Sequence, residues 1–250
     1  MSKSLIAYQA SPLSRFNFIA FVAWLFMFCL ISMSVQADGL VVDKVYHPLV
    51  LPFEKEIEWR LMSSQTDDVN RLGQRLGYGH GVSEKVAIAG YIVAERDLET
   101  NNFELQSFEI ESRIMLTEQG EKWADWGLVL ELENQNKKND WEAAVGLVFE
   151  KEFQKTSLTL NSFLIYEWGD NLEEEFEFEF RAQYRYRWLP EFQPSIELYS
   201  GEDYLGLGPS FMGVHRIQGQ EQIKWELGFI TEVRHAGKDH TLRMAVEYEF

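Results

Sequence analysis

Residues 173–188 read EEEFEFEFRAQYRYRW, and charge and ring take turns through almost the whole stretch. One face carries Phe176, Phe178, Phe180, Tyr184, Tyr186 and Trp188. The other carries Glu175, Glu177, Glu179, Arg181, Gln183, Arg185 and Arg187. Period-two alternation is the signature of a half-buried strand. An all-aromatic face of this length calls for a thick apolar medium, and the opposite face calls for water or ion pairs.

The pattern recurs along the chain. In EKEIEWRL, Ile57, Trp59 and Leu61 oppose Glu56, Glu58 and Arg60. In FEIESRIML, Phe108, Ile110, Ile114 and Leu116 oppose Glu109, Glu111 and Arg113. In WGLVLELE, Trp126, Leu128, Leu130 and Leu132 oppose Val129, Glu131 and Glu133. IKWELGF and LRMAVEYEF repeat the scheme with Lys224, Glu226, Arg243, Glu247 and Glu249 on the polar face. No window after residue 37 sustains helical spacing. Strands are expected at 54–64, 70–81, 85–97, 103–117, 124–135, 140–151, 155–168, 173–188, 192–201, 206–217, 221–234 and 240–250. Short polar turns separate them.

An even number of strands joined by short hairpins fits a closed, up-and-down transmembrane β-barrel of about 12 strands. Closure satisfies every backbone polar group in lipid. Tryptophans at strand ends suit an interfacial girdle. The terminal Tyr248 and Phe250 would serve as an assembly signal. The rival is a soluble sandwich or lipocalin-like barrel with the rings turned inward. The abundance of large rings on nearly every strand favours the membrane.

The N-terminus reads as a leader. Lys3 and Arg15 precede the apolar run FNFIAFVAWLFMFCLI, and SMSVQA supplies small residues for cleavage. Residues 1–37 are therefore expected to be a signal peptide, with an uncleaved anchor as the alternative. Its removal takes two positive charges from a chain that already carries a formal charge of −17. Residues 38–53, DGLVVDKVYHPLVLPF, are expected to form a periplasmic extended arm, and 54–250 the barrel. The single cysteine, Cys29, lies in the leader, so no disulfide is expected.

An acidic, exported chain does not suit nucleic acid. The expected partners are outer-membrane lipid, the barrel-assembly machinery and a small solute. The polar face supplies the candidate lumen residues: Glu58, Arg60, Glu109, Glu111, Arg113, Glu131, Glu133, Glu175, Glu177, Glu179, Arg181, Arg185, Arg187 and Glu226. Such a lumen would act as a narrow channel with charged walls, or as a barrel plugged by its own salt bridges. No catalytic group, metal or cofactor is expected. His235 or His240 with Asp239 would be needed to serve Ser63, Ser64 or Ser200, and nothing in the spacing requires it. GYGHG (77–81) and GLGP (206–209) do not lie between a parallel strand and a helix, so they are not phosphate loops.

KVYHPLVLPFEKEIEWR (44–60), LTEQGEKWADWGLVLELE (116–133), LIYEWGD (164–170), LGP (207–209) and TLRMAVEYEF (241–250) together resemble an uncharacterised family of proteobacterial outer-membrane proteins. The chain is more distantly similar to outer-membrane barrels labelled as transporters linked to phenol degradation. That resemblance implies passage of small, aromatic solutes and transfers no catalytic motif.

Overall fold

A computed structural model describes residues 42–250 apart from 66–69, 98–102, 137, 173, 203 and 235–238. The expected leader and His235 lie outside the described residues.

Twelve strands run in sequence: β1 (Lys55–Gln65), β2 (Asn70–Gly81), β3 (Val86–Asp97), β4 (Phe103–Met115), β5 (Asp125–Gln135), β6 (Asp140–Phe153), β7 (Thr156–Gly169), β8 (Glu175–Tyr186), β9 (Gln193–Ser200), β10 (Leu205–Arg216), β11 (Gln222–Glu232) and β12 (His240–Glu249). Each pairs antiparallel with the next, and β12 returns to β1, so the sheet is a closed barrel. The expected strand bounds hold to within two residues at every end. β8 stops at Tyr186, because Trp188 bends away into the Leu189–Phe192 bridge. One register shift, between Val93 and Ala94, bulges β3 against β4.

Strand pairing puts like residues in rows across the wall. Val145, Leu164 and Phe178 are register partners on β6, β7 and β8. All three are more than half exposed on the outside. Aromatics gather at both rims. Trp141, Trp168, Tyr166 and Phe176 stack at one end. Phe192, Phe211 and Trp225 cluster at the other, where Tyr248 stacks on Phe250. This is the girdled apolar band of a barrel that spans a bilayer. The soluble alternative fails here, because the apolar side of the wall faces out. A charge placed at the middle of that band costs about 2–4 kcal/mol. Leu164→Arg should lose that much stability in unfolding measurements in lipid vesicles, and a neutral result would mean that Leu164 does not face hydrocarbon.

The sequence reads 38–53 as an extended arm and leaves open whether it enters the lumen; from Val42 to Val50 it lies inside the barrel. Each of the three buried apolar clusters contains arm residues: Tyr46 in one, Val42 and Val45 in the second, Val50 in the third. The physical reason is complementary charge and shape, described below. The chain then turns at Pro52–Phe53 and enters β1. Phe53 adopts φ 58°, a left-handed conformation unfavourable for a residue with a Cβ. The turn is tied to β2 by Phe53 N donating to Gly81 O (3.1 Å) and Gly81 N donating to Glu54 O (2.8 Å).

Candidate functional site

The lumen is lined by the polar face of every strand, and most of the expected residues point into it. Glu58, Arg60, Glu109, Glu111, Glu179 and Arg181 are buried. Arg113 and Arg185 are largely covered and ion-paired. Arg187 sits nearer the rim, where its Nη1 meets Glu152 at 2.6 Å.

Register joins five glutamates into one row. Glu109 on β4 opposes Glu133 on β5, which opposes Glu142 on β6, then Glu167 on β7, then Glu175 on β8. On β5 to β8 this row lies toward the end opposite the C-terminus. Glu177 adds a further carboxylate beside Glu167 and Glu175. Like charges directly opposite each other are unfavourable in a sheet. Such a row is relieved by bound protons, by nearby bases such as Arg75 beside Glu109, or by cations.

The middle of the lumen holds the arm. Asp43 accepts from Arg60 Nη1 (3.1 Å) and Arg75 Nη1 (3.3 Å), and Arg181 Nη1 stands 3.8 Å away. Lys44 Nζ donates to Glu58 Oε1 at 2.9 Å and Glu247 Oε2 at 3.2 Å. Backbone contacts fix the same two residues, with Arg181 Nη1 donating to Lys44 O (3.0 Å) and Tyr199 Oη to Asp43 O (2.9 Å). Tyr46 and Asn161 pair as two amides would in a ladder. Tyr46 N donates to Asn161 Oδ1 (2.7 Å), and Asn161 Nδ2 donates to Tyr46 O (2.9 Å). The Tyr46 hydroxyl lies 2.8 Å from both Glu111 and Glu131. His47 Nδ1 meets Glu150 Oε2 at 2.9 Å. Asp43, Lys44, Tyr46 and His47 thus reach walls on opposite sides of the barrel.

Burial and charge act against each other on the arm. Burial alone would raise the Asp43 carboxyl, yet Arg60, Arg75 and Arg181 together hold it well below the usual carboxylate range. Burial alone would lower Lys44, yet Glu58 and Glu247 keep its ammonium above its ordinary value. Both residues are charged across the physiological range.

Rings position the arginines. The Arg60 and Arg75 guanidiniums stand 5.1 and 5.5 Å from the Tyr91 ring centre, and Arg181 stands 4.6 Å from that of Phe163. These rings lie flat against Gly77 and Gly146, their register partners, where an added Cβ would collide with them. Only glycine leaves room for the ring. Below the arm, toward the end where β1 begins, a cavity of 330 Å³ remains, bordered by Arg113, Glu150, Arg185, Lys224 and the arm itself.

Several functional residues escaped the sequence reading. Asp43, Lys44 and Tyr46 belong to a segment without periodicity. Arg75 lies in the glycine-rich β2, where alternation is blurred. Tyr91, Phe163 and Tyr199 are rings on the polar face. Of the residues considered for catalysis, His235 lies outside the described residues, and Ser64 faces Thr241 across the β1–β12 seam. Ser64 Oγ is approached by Thr241 Oγ1 (3.5 Å), and His240 packs on the Phe229 ring.

No family model and no curated protein matches the chain. Solved structures do. The COG4313 outer membrane channel from Pseudomonas putida F1 aligns with a TM-score of 0.62 at 12% identity, covering 84% of this chain and 100% of that one. The KdgM porin in complex with disordered oligogalacturonate aligns with a TM-score of 0.52 at 12% identity, covering 78% and 99%. The fold is therefore that of outer-membrane channels and porins.

Proposed function

We propose that the chain is a bacterial outer-membrane channel for small solutes, with a lumen held shut by its own N-terminal arm. The carrying observation is the arm seated in the middle of a closed, charged lumen through ion pairs to β1, β2, β8 and β12. A barrel interior packed for stability alone has better options. Buried ion pairs repay their desolvation poorly compared with apolar packing. A segment outside the sheet, held by ion pairs and hydrogen bonds and by packing of Val42, Val45, Tyr46 and Val50 with no ladder pairing, is one that can leave. The row from Glu109 to Glu175 would then favour cations at one mouth. The activity proposed is passage, not catalysis. The small aromatic cargo implied by resemblance fits this lumen poorly, because an apolar solute offers its charged walls no polar partner.

The test is single-channel recording in planar bilayers on the full-length protein and on a variant with the arm's two tethering charges removed. Conductance that rises in the variant supports the channel. A variant that is folded yet passes no ions supports the second reading, a structural barrel. That reading draws on the wall-to-wall pairs which need no arm, such as Arg75 with Glu109 (2.8 Å) and Arg243 with Glu226 (2.7 Å).

Under this proposal the chain's last residues address it to the assembly machinery. Phe250 N and O both bond Lys55, at 2.9 and 3.1 Å, and its ring stacks on Tyr248. Deleting Phe250 should lower the yield of heat-modifiable barrel in outer membranes several-fold while purified protein still refolds in detergent. Unchanged yield in cells would remove the addressing role.

A further inference from the structure

Asp43 and Lys44 are neighbours of opposite charge, both nearly buried, and each is met by barrel groups of the opposite sign. The anionic side is received by Arg60 of β1, Arg75 of β2 and Arg181 of β8. The cationic side is received by Glu58 of β1 and Glu247 of β12. We propose that these two arm residues occupy a binding site for small zwitterionic solutes, the class to which free amino acids and short peptides belong. The inference rests on the channel reading and names the solute that would pass.

The receiving groups do not depend on the arm for their positions. Each arginine has a carboxylate of its own on the wall. Arg60 Nε donates to Glu58 (2.8 Å), Arg75 Nη2 meets Glu109 (2.8 Å) and Arg181 Nη2 donates to Glu179 (2.7 Å). Tyr91 and Phe163 back the three guanidiniums with their ring faces. A guanidinium has five N–H donors in a fixed fork. One wall carboxylate therefore fixes it and leaves donors turned to the lumen. Glu247 is likewise held by Lys224 Nζ at 3.0 Å. When Asp43 and Lys44 leave, a preformed pair of counter-charged pockets stays behind.

The rest of the lumen narrows the class. A simple anion would have to pass the glutamate row. A simple cation would meet three arginines at the arm's level. An uncharged solute would displace the arm and leave the lumen-facing guanidinium N–H groups and carboxylate oxygens that now meet Asp43 and Lys44 without a charged partner. A solute with both charges satisfies each pocket, and its ammonium end is drawn by the mouth. The arm, a piece of peptide with one acid and one amine, is such a solute held in cis.

The test uses full-length protein folded in detergent micelles and titrated by calorimetry with the dipeptide Ala-Ala. Its acetylated form, an anion, and its amidated form, a cation, are the comparisons. In the Asp43→Asn/Lys44→Gln variant the free dipeptide should bind at least tenfold more tightly than to the unaltered protein. It should also bind at least tenfold more tightly than either capped form. Adding Arg181→Gln should reduce that binding at least tenfold. Equal binding of free and capped dipeptides, or no gain on altering the arm, overturns the proposal. If the double variant does not fold, Asp43→Asn alone opens only the arginine pocket while Lys44 keeps Glu58 and Glu247 filled, so the acetylated dipeptide should then gain at least tenfold in binding over the unaltered protein and the amidated one should gain nothing; equal gains, or none, overturn the proposal. Conductance is read separately. A variant that conducts without discriminating removes the solute class and leaves the channel, whereas one that binds the free dipeptide but passes no ions removes the channel.

Discussion

Full-length protein carrying Asp43→Asn and Lys44→Gln should show at least tenfold more ion conductance in planar bilayers than the unaltered chain. Each substitution removes one partner from a buried ion cluster, which costs about 3–5 kcal/mol. Every 1.4 kcal/mol is a factor of ten, so arm docking should weaken by at least about a hundredfold. The barrel itself keeps its compensation, because Arg60 still holds Glu58 and Lys224 still holds Glu247. The unaltered protein should stay closed over a wide pH range. Asp43 is depressed below 3.8, so its contribution is complete above that value and is lost only as pH falls through its lower docked value. Lys44 is raised above 10.5, so its contribution is complete below that value and fails only at still higher pH. Conductance should therefore be flat from pH 5 to 9, and an acid-triggered opening near pH 6 would contradict the assignment of these two residues as the latch.

The second large effect belongs to Arg243. It is 3% exposed and reaches across three strands. Its Nε donates to Glu197 Oε2 at 2.9 Å, its Nη2 also reaches Glu197, and its Nη1 donates to Glu226 at 2.7 Å. Glu197 is wholly buried, with Gln183 (2.8 Å) and Tyr199 (2.9 Å) as further donors. Arg243→Met would strand that carboxylate and should destabilise the barrel by about 3–5 kcal/mol, seen as a lower denaturant midpoint in micelles. Adding Glu197→Gln should restore part of the loss. Arg187→Met, which removes a half-exposed rim pair with Glu152, should cost no more than about 1 kcal/mol. Equal losses at Arg243 and Arg187 would mean that the lumen is wet enough to screen its ion pairs.

The strands were legible because their signal is local. A strand with lipid on one side and a polar lumen on the other writes its two faces into every second residue, as in Phe176–Glu177–Phe178–Glu179. The count, the order and nearly all the bounds follow from that. What each lumen residue meets does not follow, because partners come from segments far apart in the chain. Arg60 is on the polar face of its strand, but nothing local says that it shares Asp43 with Arg75 and Arg181. Inward rings were hidden for a related reason. Alternation assigns an aromatic to the lipid side by default, yet Tyr91 and Phe163 turn inward where Gly77 and Gly146 on neighbouring strands leave space. The seat of residues 42–50 was not legible because they have neither period. Their position is set by charges on β1, β2, β8 and β12, and is visible only once the wall exists.

The seam between β1 and β12 adds a constraint on the order of events during biogenesis. Glu56 faces Glu249 and Glu58 faces Glu247 across it, two like-charged couples at the junction that completes the cylinder. The relief comes from elsewhere: Arg113 of β4 for Glu56, Lys224 of β11 for Glu249, and Lys44 with Arg60 for Glu58 and Glu247. Zipping the first strand to the last before those cations arrive is therefore opposed by repulsion. Arg60 and Lys224 arrive with the wall itself, so the seam can shut with the N-terminal segment still outside, and Lys44 adds a further cation to it only once docked.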